Sequence, residues 1–380
     1  MKNKNIYLDN HASTQIDERV YKEMVPFLTN IFGNPHSDSH SHGWVSNKFI
    51  DLSRLKIAKA INANKEEIFF TSGATESNNL VLKGLAFSQK KKNHIITCVT
   101  EHKCILESCK FLESIGYKVT YLKVNKFGEL NLNDLKKEIN SKTFLVSLMH
   151  VNNEIGTIHP IKRIGEICKK KKIFFHTDAS QSVGKIKFDV NYLNLDFASF
   201  SSHKIYGPQG VGCLFIKKRK DVRLTPLFSG GGQENGLRSG TLPTALCVGF
   251  GSAIELVVKE RLKNMKKIKN LKKLFLKILK KNKVTFVLNG NGAVDNNINI
   301  TFPSIDGDLL LSKLNNISLS SGSACGSGSG DPSYVLKELG IDRKHAKSTL
   351  RIGLGKNNTE NEILYFASKI LKILKSNNNN

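Results

Sequence analysis

Seven short apolar runs, most of them separated by longer stretches with helical spacing, limit most strongly how this chain can fold. Residues 67–71, 94–99, 118–122, 143–149, 173–176, 197–200 and 211–216 read as buried strands. Residues 104–116 and 132–140 read as helices between them. Such alternation favours an α/β architecture, with helices on both faces of a mostly parallel sheet. Ligands of such sheets gather at the carboxyl ends of the strands. The polar residues that directly follow an apolar run are therefore the candidates for chemistry.

The pattern changes near residue 255. Residues 254–283 read as one Lys-laden helix, with Leu262, Met265, Ile268, Leu271, Phe275 and Ile278 three or four apart. One face is apolar and the other charged. The expectation is a solvated helix that opens a second domain; a membrane-surface or calmodulin-target helix is the alternative. Shorter strands, a Gly/Ser-rich loop over 318–330 and a last helix over 360–375 follow. With 380 residues the chain is long enough for such a division. At 39% hydrophobic and 24% charged residues it is neither disordered nor a membrane protein.

The net charge of +26 raises nucleic acid or an acidic partner as a possibility. The excess is Lys, however, and comes with abundant Asn and Ile, as in Lys169-Lys170-Lys171-Lys172 and the Asn377–Asn380 tail. These are residues of AT-rich codons, so codon bias explains the charge and nucleic acid is not an expected partner. Seven cysteines, at 98, 104, 109, 168, 213, 247 and 325, form no CxxC pair. A disulfide framework and a structural zinc site are not expected, and the thiols read as reduced. The start Met1-Lys2-Asn3-Lys4-Asn5-Ile6 lacks the apolar segment of a secretory signal and the Arg of a transit peptide.

Four segments carry chemistry. Lys204, in Ser201-Ser202-His203-Lys204, follows an apolar run. Burial lowers a lysine's pKa and so frees its nitrogen to attack a carbonyl; a surface lysine is the plain alternative. Asp178, in His176-Thr177-Asp178-Ala179-Ser180-Gln181, also ends a run. Adjacent strand ends could turn both groups into one pocket, the pairing that pyridoxal phosphate requires. Alone, Asp178 reads better as a turn or helix-cap residue. Thr71-Ser72-Gly73-Ala74-Thr75-Glu76 leads from a strand into a helix. It reads either as a phosphate cradle or as a capping box. Cys325 lies in Ser318-Leu319-Ser320-Ser321-Gly322-Ser323-Ala324-Cys325-Gly326-Ser327-Gly328-Ser329-Gly330. Nothing there offers it packing, so it reads as a nucleophile on a mobile loop, while the other six cysteines read as inert small hydrophobes.

These four pieces, in this order, resemble the cysteine desulfurases of the NifS/IscS type. Tyr7-Leu8-Asp9-Asn10, Gly33-Asn34-Pro35-His36-Ser37, Glu101-His102-Lys103, Val151-Asn152-Asn153-Glu154-Ile155-Gly156, Gly230-Gly231-Gly232-Gln233-Glu234, Leu237-Arg238-Ser239-Gly240-Thr241-Leu242-Pro243 and Leu350-Arg351-Ile352-Gly353 carry the resemblance over residues 6–365. The form Ser320-Ser321-Gly322-Ser323-Ala324-Cys325 is similar to the housekeeping iron–sulfur branch.

The resemblance implies a pyridoxal-phosphate transferase of fold type I. A large domain over 15–255 would hold a mostly parallel seven-stranded sheet. A smaller α+β domain over 1–14 and 256–380 would carry the cysteine loop 318–332. It implies Lys204 as the Schiff-base lysine, Asp178 at the pyridine nitrogen and Gln181 at the ring hydroxyl. His102 would stack on the ring and move protons. Ala74, Thr75, Ser201 and His203 would hold the phosphate, and Thr241 would reach the phosphate of the other subunit of an obligate homodimer. Asn153 and Arg351 would face the substrate, L-cysteine, with Arg351 on its carboxylate. Cys325 would accept the sulfur as a persulfide and pass it to an iron–sulfur scaffold or to transfer-RNA thiolation. No metal site is implied, apart from Cys325 as a transient iron–sulfur ligand. Asp38 and Asn235 stand where relatives carry Arg, and the Asn tail replaces a longer docking tail. The expected location is a bacterial cytoplasm or, second, a reduced mitochondrion-like organelle. Two other readings are another lyase or aminotransferase of the same fold, which Cys325 disfavours, and a basic nucleic-acid-binding or scaffold protein.

Overall fold

The computed structural model describes residues 5–89, 91–320 and 332–378. A short strand, β1 (Ile6–Tyr7), precedes the main sheet. That sheet is built from β2 (Ile68–Thr71), β3 (His94–Cys98), β4 (Lys118–Leu122), β5 (Thr143–Ser147), β6 (Phe174–Asp178), β7 (Phe197–Ser201) and β8 (Gly212–Ile216). Each strand sits on one of the seven apolar runs. Their order is β2-β8-β7-β6-β5-β3-β4. Only β8 is reversed, antiparallel to β2 and to β7; the other pairings are parallel.

All five residues of β3, β5, β7 and β8 are buried, as expected when helices cover both faces. Side chains alternate across a strand, so neighbours join different layers. Ile95, Leu145, Phe197 and Leu214 enter the layer with the helix Ala74–Ser88. Ile96, Val146, Ala198 and Phe215 enter the opposite one.

Farther along, β9 (Val287–Leu288) and β10 (Asn297–Thr301) pair antiparallel, β11 (Ile317–Ser318) runs parallel to β1, and β12 (Thr349–Gly353) completes a sheet in the order β12-β10-β9. Ile298, Ile300, Leu350 and Ile352 build a second core with Ile268, Leu271, Phe275, Phe366 and Ile370. Phe275 stacks on Phe366 at 5.0 Å between centroids.

One helix, Thr244–Lys281, serves both cores. Cys247, Phe250, Ile254 and Val257 enter the first, and Ile268, Leu271, Phe275 and Leu279 the second. The expected start at 254 is therefore ten residues late. Gly249, Gly251, Ser252 and Ala253 show no apolar stripe because they pack by closeness instead. A Cβ on Gly251 would come within 2.8 Å of Ser53 Cα, on the helix Ser41–Ile61. Among the described residues no helix is long and apolar enough to cross a membrane.

Candidate active site

The carboxyl ends of β2, β3, β5, β6 and β7 surround a cavity of about 440 Å³. Ser72, Gly73, Ala74 and Thr75 follow β2, and His102 and Cys104 follow β3. Met149, Val151 and Asn153 follow β5. Asp178 ends β6, with Ser180 and Gln181 beyond it. Ser201 ends β7, with His203 and Lys204 in the next turn. Arg351 of β12 and His11 close the remaining side.

Lys204 Nζ lies at the wall, donating to the backbone oxygens of His11 at 2.8 Å and Ala12 at 2.7 Å. Asp178 is oriented by two donors: Asn78 Nδ2 reaches its Oδ2 at 2.8 Å and Ser180 N its Oδ1 at 2.9 Å. The strand end thus fixes where the acid points. Arg351 is 1% exposed, although it is one of the largest side chains in the protein. Its Nη2 donates to Asp9 Oδ1 at 2.8 Å and its Nη1 to Asn153 O at 3.4 Å, while Nε has no partner among the described residues. Buried guanidinium donors facing a cavity suit a carboxylate.

At the opposite end the helix Ala74–Ser88 points its N-terminus into the cavity, with no side-chain cap at Gly73. Ala74 N–H donates to Ser201 Oγ at 2.7 Å. Gly212 of β8 lies so close behind that a Cβ on it would meet Gly73 Cα, so two glycines let β2 and β8 meet beneath the cradle. An uncapped helix N-terminus favours a phosphate. These residues fit pyridoxal phosphate: a nitrogen nucleophile, an oriented carboxylate and an anion site open into one cavity.

Burial sets the protonation of the surroundings. It holds His203 at about 4, with the Lys204 and Lys185 charges adding to the effect. It pushes Glu101 well above the usual carboxylate range, and Glu154 upward as well. Glu101 Oε1 accepts from Met149 N at 2.7 Å. Glu154 accepts from Ser333 Oγ, where the chain re-enters the described residues.

Of the residues named from the sequence, Ala74, Thr75, His102, Asn153, Asp178, Gln181, Ser201, His203, Lys204 and Arg351 line this cavity. Thr241 does not: it is exposed. Cys325 lies outside the described residues. Cys104 corrects an expectation. It is half-buried and lines the cavity, meeting Asn78 Nδ2 at 3.1 Å and His102 Nδ1 at 3.0 Å. The reason is local, since the helix Lys103–Ser114 begins at the end of β3 with His102 as its cap. Cys98, Cys109, Cys168, Cys213 and Cys247 are buried, and burial pushes every one of these thiols up, Cys98 to about 12.

Sequence reasoning missed the role of Glu234. Its carboxylate accepts from Arg54 Nη2 at 2.6 Å, Arg54 Nη1 at 2.9 Å and Phe70 N at 2.6 Å. Arg238 Nε donates to Glu76 Oε1 at 2.9 Å, while Glu76 Oε2 accepts from Ser72 N at 2.8 Å. These contacts tie the segment before Thr241 to β2 and to the cradle. A Gly-rich run containing one Glu was the available signal.

The family described as aminotransferase class-V matches residues 6–366. A probable mitochondrial cysteine desulfurase of Dictyostelium discoideum is 49% identical over 375 residues, 98% of this chain and 82% of that protein. Cysteine desulfurase IscS of Rickettsia africae is 49% identical over 368 residues, 96% of this chain and 90% of that protein. Among solved structures, a NifS-like protein superposes with a TM-score of 0.91 at 40% identity, covering 98% of this chain and 99% of its own. SspA in complex with cysteine superposes with a TM-score of 0.83 at 39% identity, covering 93% of this chain and 100% of its own.

Proposed function

The chain belongs to the aminotransferase class-V family, and from that premise we infer that it is a cysteine desulfurase, taking sulfur from L-cysteine and releasing L-alanine. Its cofactor is pyridoxal 5′-phosphate. The observation that carries the reading is the meeting of Lys204 Nζ, the Asp178 carboxylate and an uncapped helix N-terminus in one cavity.

Bound pyridoxal phosphate supplies an electron sink that makes the substrate's Cα–H bond acidic. Lys204 would hold the cofactor through its Nζ, and Asp178 would keep the pyridine nitrogen protonated. Ala74, Thr75, Ser201 and His203 would receive the phosphate. Gln181 would meet the ring hydroxyl. Arg351 and Asn153 orient the cysteine carboxylate, and His102 shuttles the proton. The Cys325 thiolate attacks the substrate sulfur. The C–S bond breaks, a persulfide forms on Cys325, and the carbon skeleton leaves as alanine after taking up a proton. One sulfur atom moves and no outside oxidant is needed.

The persulfide then feeds iron–sulfur cluster assembly, with transfer-RNA thiolation as a second outlet. We place the chain in a homodimer. The exposed Thr241 supports this: it ends a segment held by Glu234 and Arg238, and it resembles a residue that reaches the other subunit's phosphate. The division into a large domain (15–255) and a small one (1–14 and 256–380) is supported by the two separate cores. Asp38 and Asn235 bear on partner docking. A cytoplasmic location is our reading, with a reduced mitochondrion-like organelle second; relatives include both bacterial and mitochondrial proteins.

The test is chemical. The purified protein should be yellow, lose its colour to borohydride and form alanine and sulfide from cysteine in the presence of a thiol. Alanine formation without persulfide or sulfide would overturn the desulfurase reading.

A further inference from the structure

Lys185 stands four residues after Gln181, and its ammonium donates to Gln181 Oε1. The same oxygen faces His11 Nδ1 at 3.0 Å, and Gln181 Nε2 donates to the backbone oxygen of His11 at 3.0 Å. An amide nitrogen carries two N–H groups, so one remains for the cavity that Gln181 lines. The backbone oxygen of His11 accepts only and already favours this orientation, whereas the neutral His11 imidazole could meet the amide oxygen as a donor or the amide nitrogen as an acceptor. An ammonium presents donors only. Lys185 is therefore the side chain that fixes Gln181 Oε1, acting together with the His11 backbone oxygen on Nε2.

We propose that Lys185 is a positioning residue for the cofactor site. It holds Gln181 with an N–H toward the ring oxygen and places a positive charge behind that hydrogen bond. The inference rests on the reading above that Gln181 meets the ring hydroxyl.

Two further observations support it. Lys185 is only partly buried along its length, yet its ammonium turns inward to a buried amide and has no carboxylate partner among the described residues. A lysine with access to solvent ordinarily keeps its charge in water. Burial, and then the Lys204 charge, also lower its pKa to about 7. The other groups facing this region are His203, neutral at working pH, the buried His11, Asp178, and Arg351 paired with Asp9. An anionic ring oxygen across the amide favours the charged form of Lys185 in turn.

A cation there disfavours a proton shared between the ring oxygen and Lys204 Nζ. Removing it should make that proton bind more tightly. The experiment is a pH titration of the visible absorbance of the cofactor-loaded protein, for wild type and for K185M, K185Q and K185R. K185M should raise the midpoint by about one unit, a tenfold tighter proton and the low end of what a like charge imposes. K185Q keeps a donor but no charge and should also raise it. K185R should restore the wild-type midpoint. Equal midpoints in wild type and K185M overturn the proposal. If K185M does not yield loaded protein, equal midpoints for K185Q and K185R overturn it instead. A wild-type protein without borohydride-sensitive colour would strike at the cofactor reading itself, so the two failures are told apart.

Discussion

His150 and His159 are 6% and 1% exposed, and His150 packs against Phe188 of the main core. Neither nitrogen of His159, nor Nδ1 of His150, has a hydrogen-bond partner among the described residues. Burial lowers the pKa of His159 to about 4 and that of His150 to about 3, from an ordinary 6.5. Folded, both rings stay neutral; unfolded, both take up a proton near pH 6.5. Between that value and the folded pKa the unfolded chain binds more protons, so stability falls as pH falls through this window. At pH 5 an imidazole with a folded pKa near 4 favours unfolding by about 2 kcal/mol, and at pH 7.5 by almost nothing. His159→Leu removes one such proton site. The variant's unfolding free energy relative to wild type should therefore rise by about 2 kcal/mol between pH 7.5 and pH 5. Urea titrations followed by circular dichroism at the two pH values measure this, and other ionising groups cancel in the comparison. An identical difference at both values would refute the claim that His159 is held neutral by burial.

Cys325→Ser should load cofactor and bind cysteine, because Lys204, Asp178 and Arg351 are untouched, yet form no persulfide. Mass spectrometry after one turnover checks this, and extra sulfur on Cys104, which also lines the cavity, would reassign the nucleophile. Arg351→Lys loses the two-pronged geometry and the contact with Asp9; the KM for cysteine should rise about tenfold or more, with a smaller change in kcat, in steady-state assays. Phe275→Ala empties a site stacked on Phe366 in the second core and should cost about 3–5 kcal/mol in urea unfolding.

Legibility followed the range of the interaction. The strands of the main sheet were legible because each is an apolar run, and the two-sided burial of β3, β5, β7 and β8 is what makes such runs continuous. Lys204, Asp178 and the cradle at Gly73 were legible because they directly follow those runs. The ion pair of Arg351 with Asp9 was not, since the two lie 342 residues apart and nothing local marks Asp9 as its partner. Lys185 was hidden for another reason. In a chain with 58 Lys and Arg residues one more lysine carries no signal, and only the placement of Gln181 Oε1 gives it meaning. The start of the helix at Thr244 was masked because Gly249 and Gly251 use closeness, which has no hydropathy signature.

The edge position of β2 has a consequence for synthesis. Its one neighbour in the sheet is β8, with Ile68 opposite Phe215. At roughly 5–20 residues per second, a nascent chain waits on the order of ten seconds between making one strand and making its partner. Throughout that wait β2 is an unpaired edge, a hazard for joining the wrong chain. Once β8 emerges, β2 can dock, and Ala74 N–H can meet Ser201 Oγ. Arg351 emerges far later, so its union with Asp9 follows the pairing of the main sheet. The ribosome thus delivers the strand ends around the cavity first and the Arg351 side of it last.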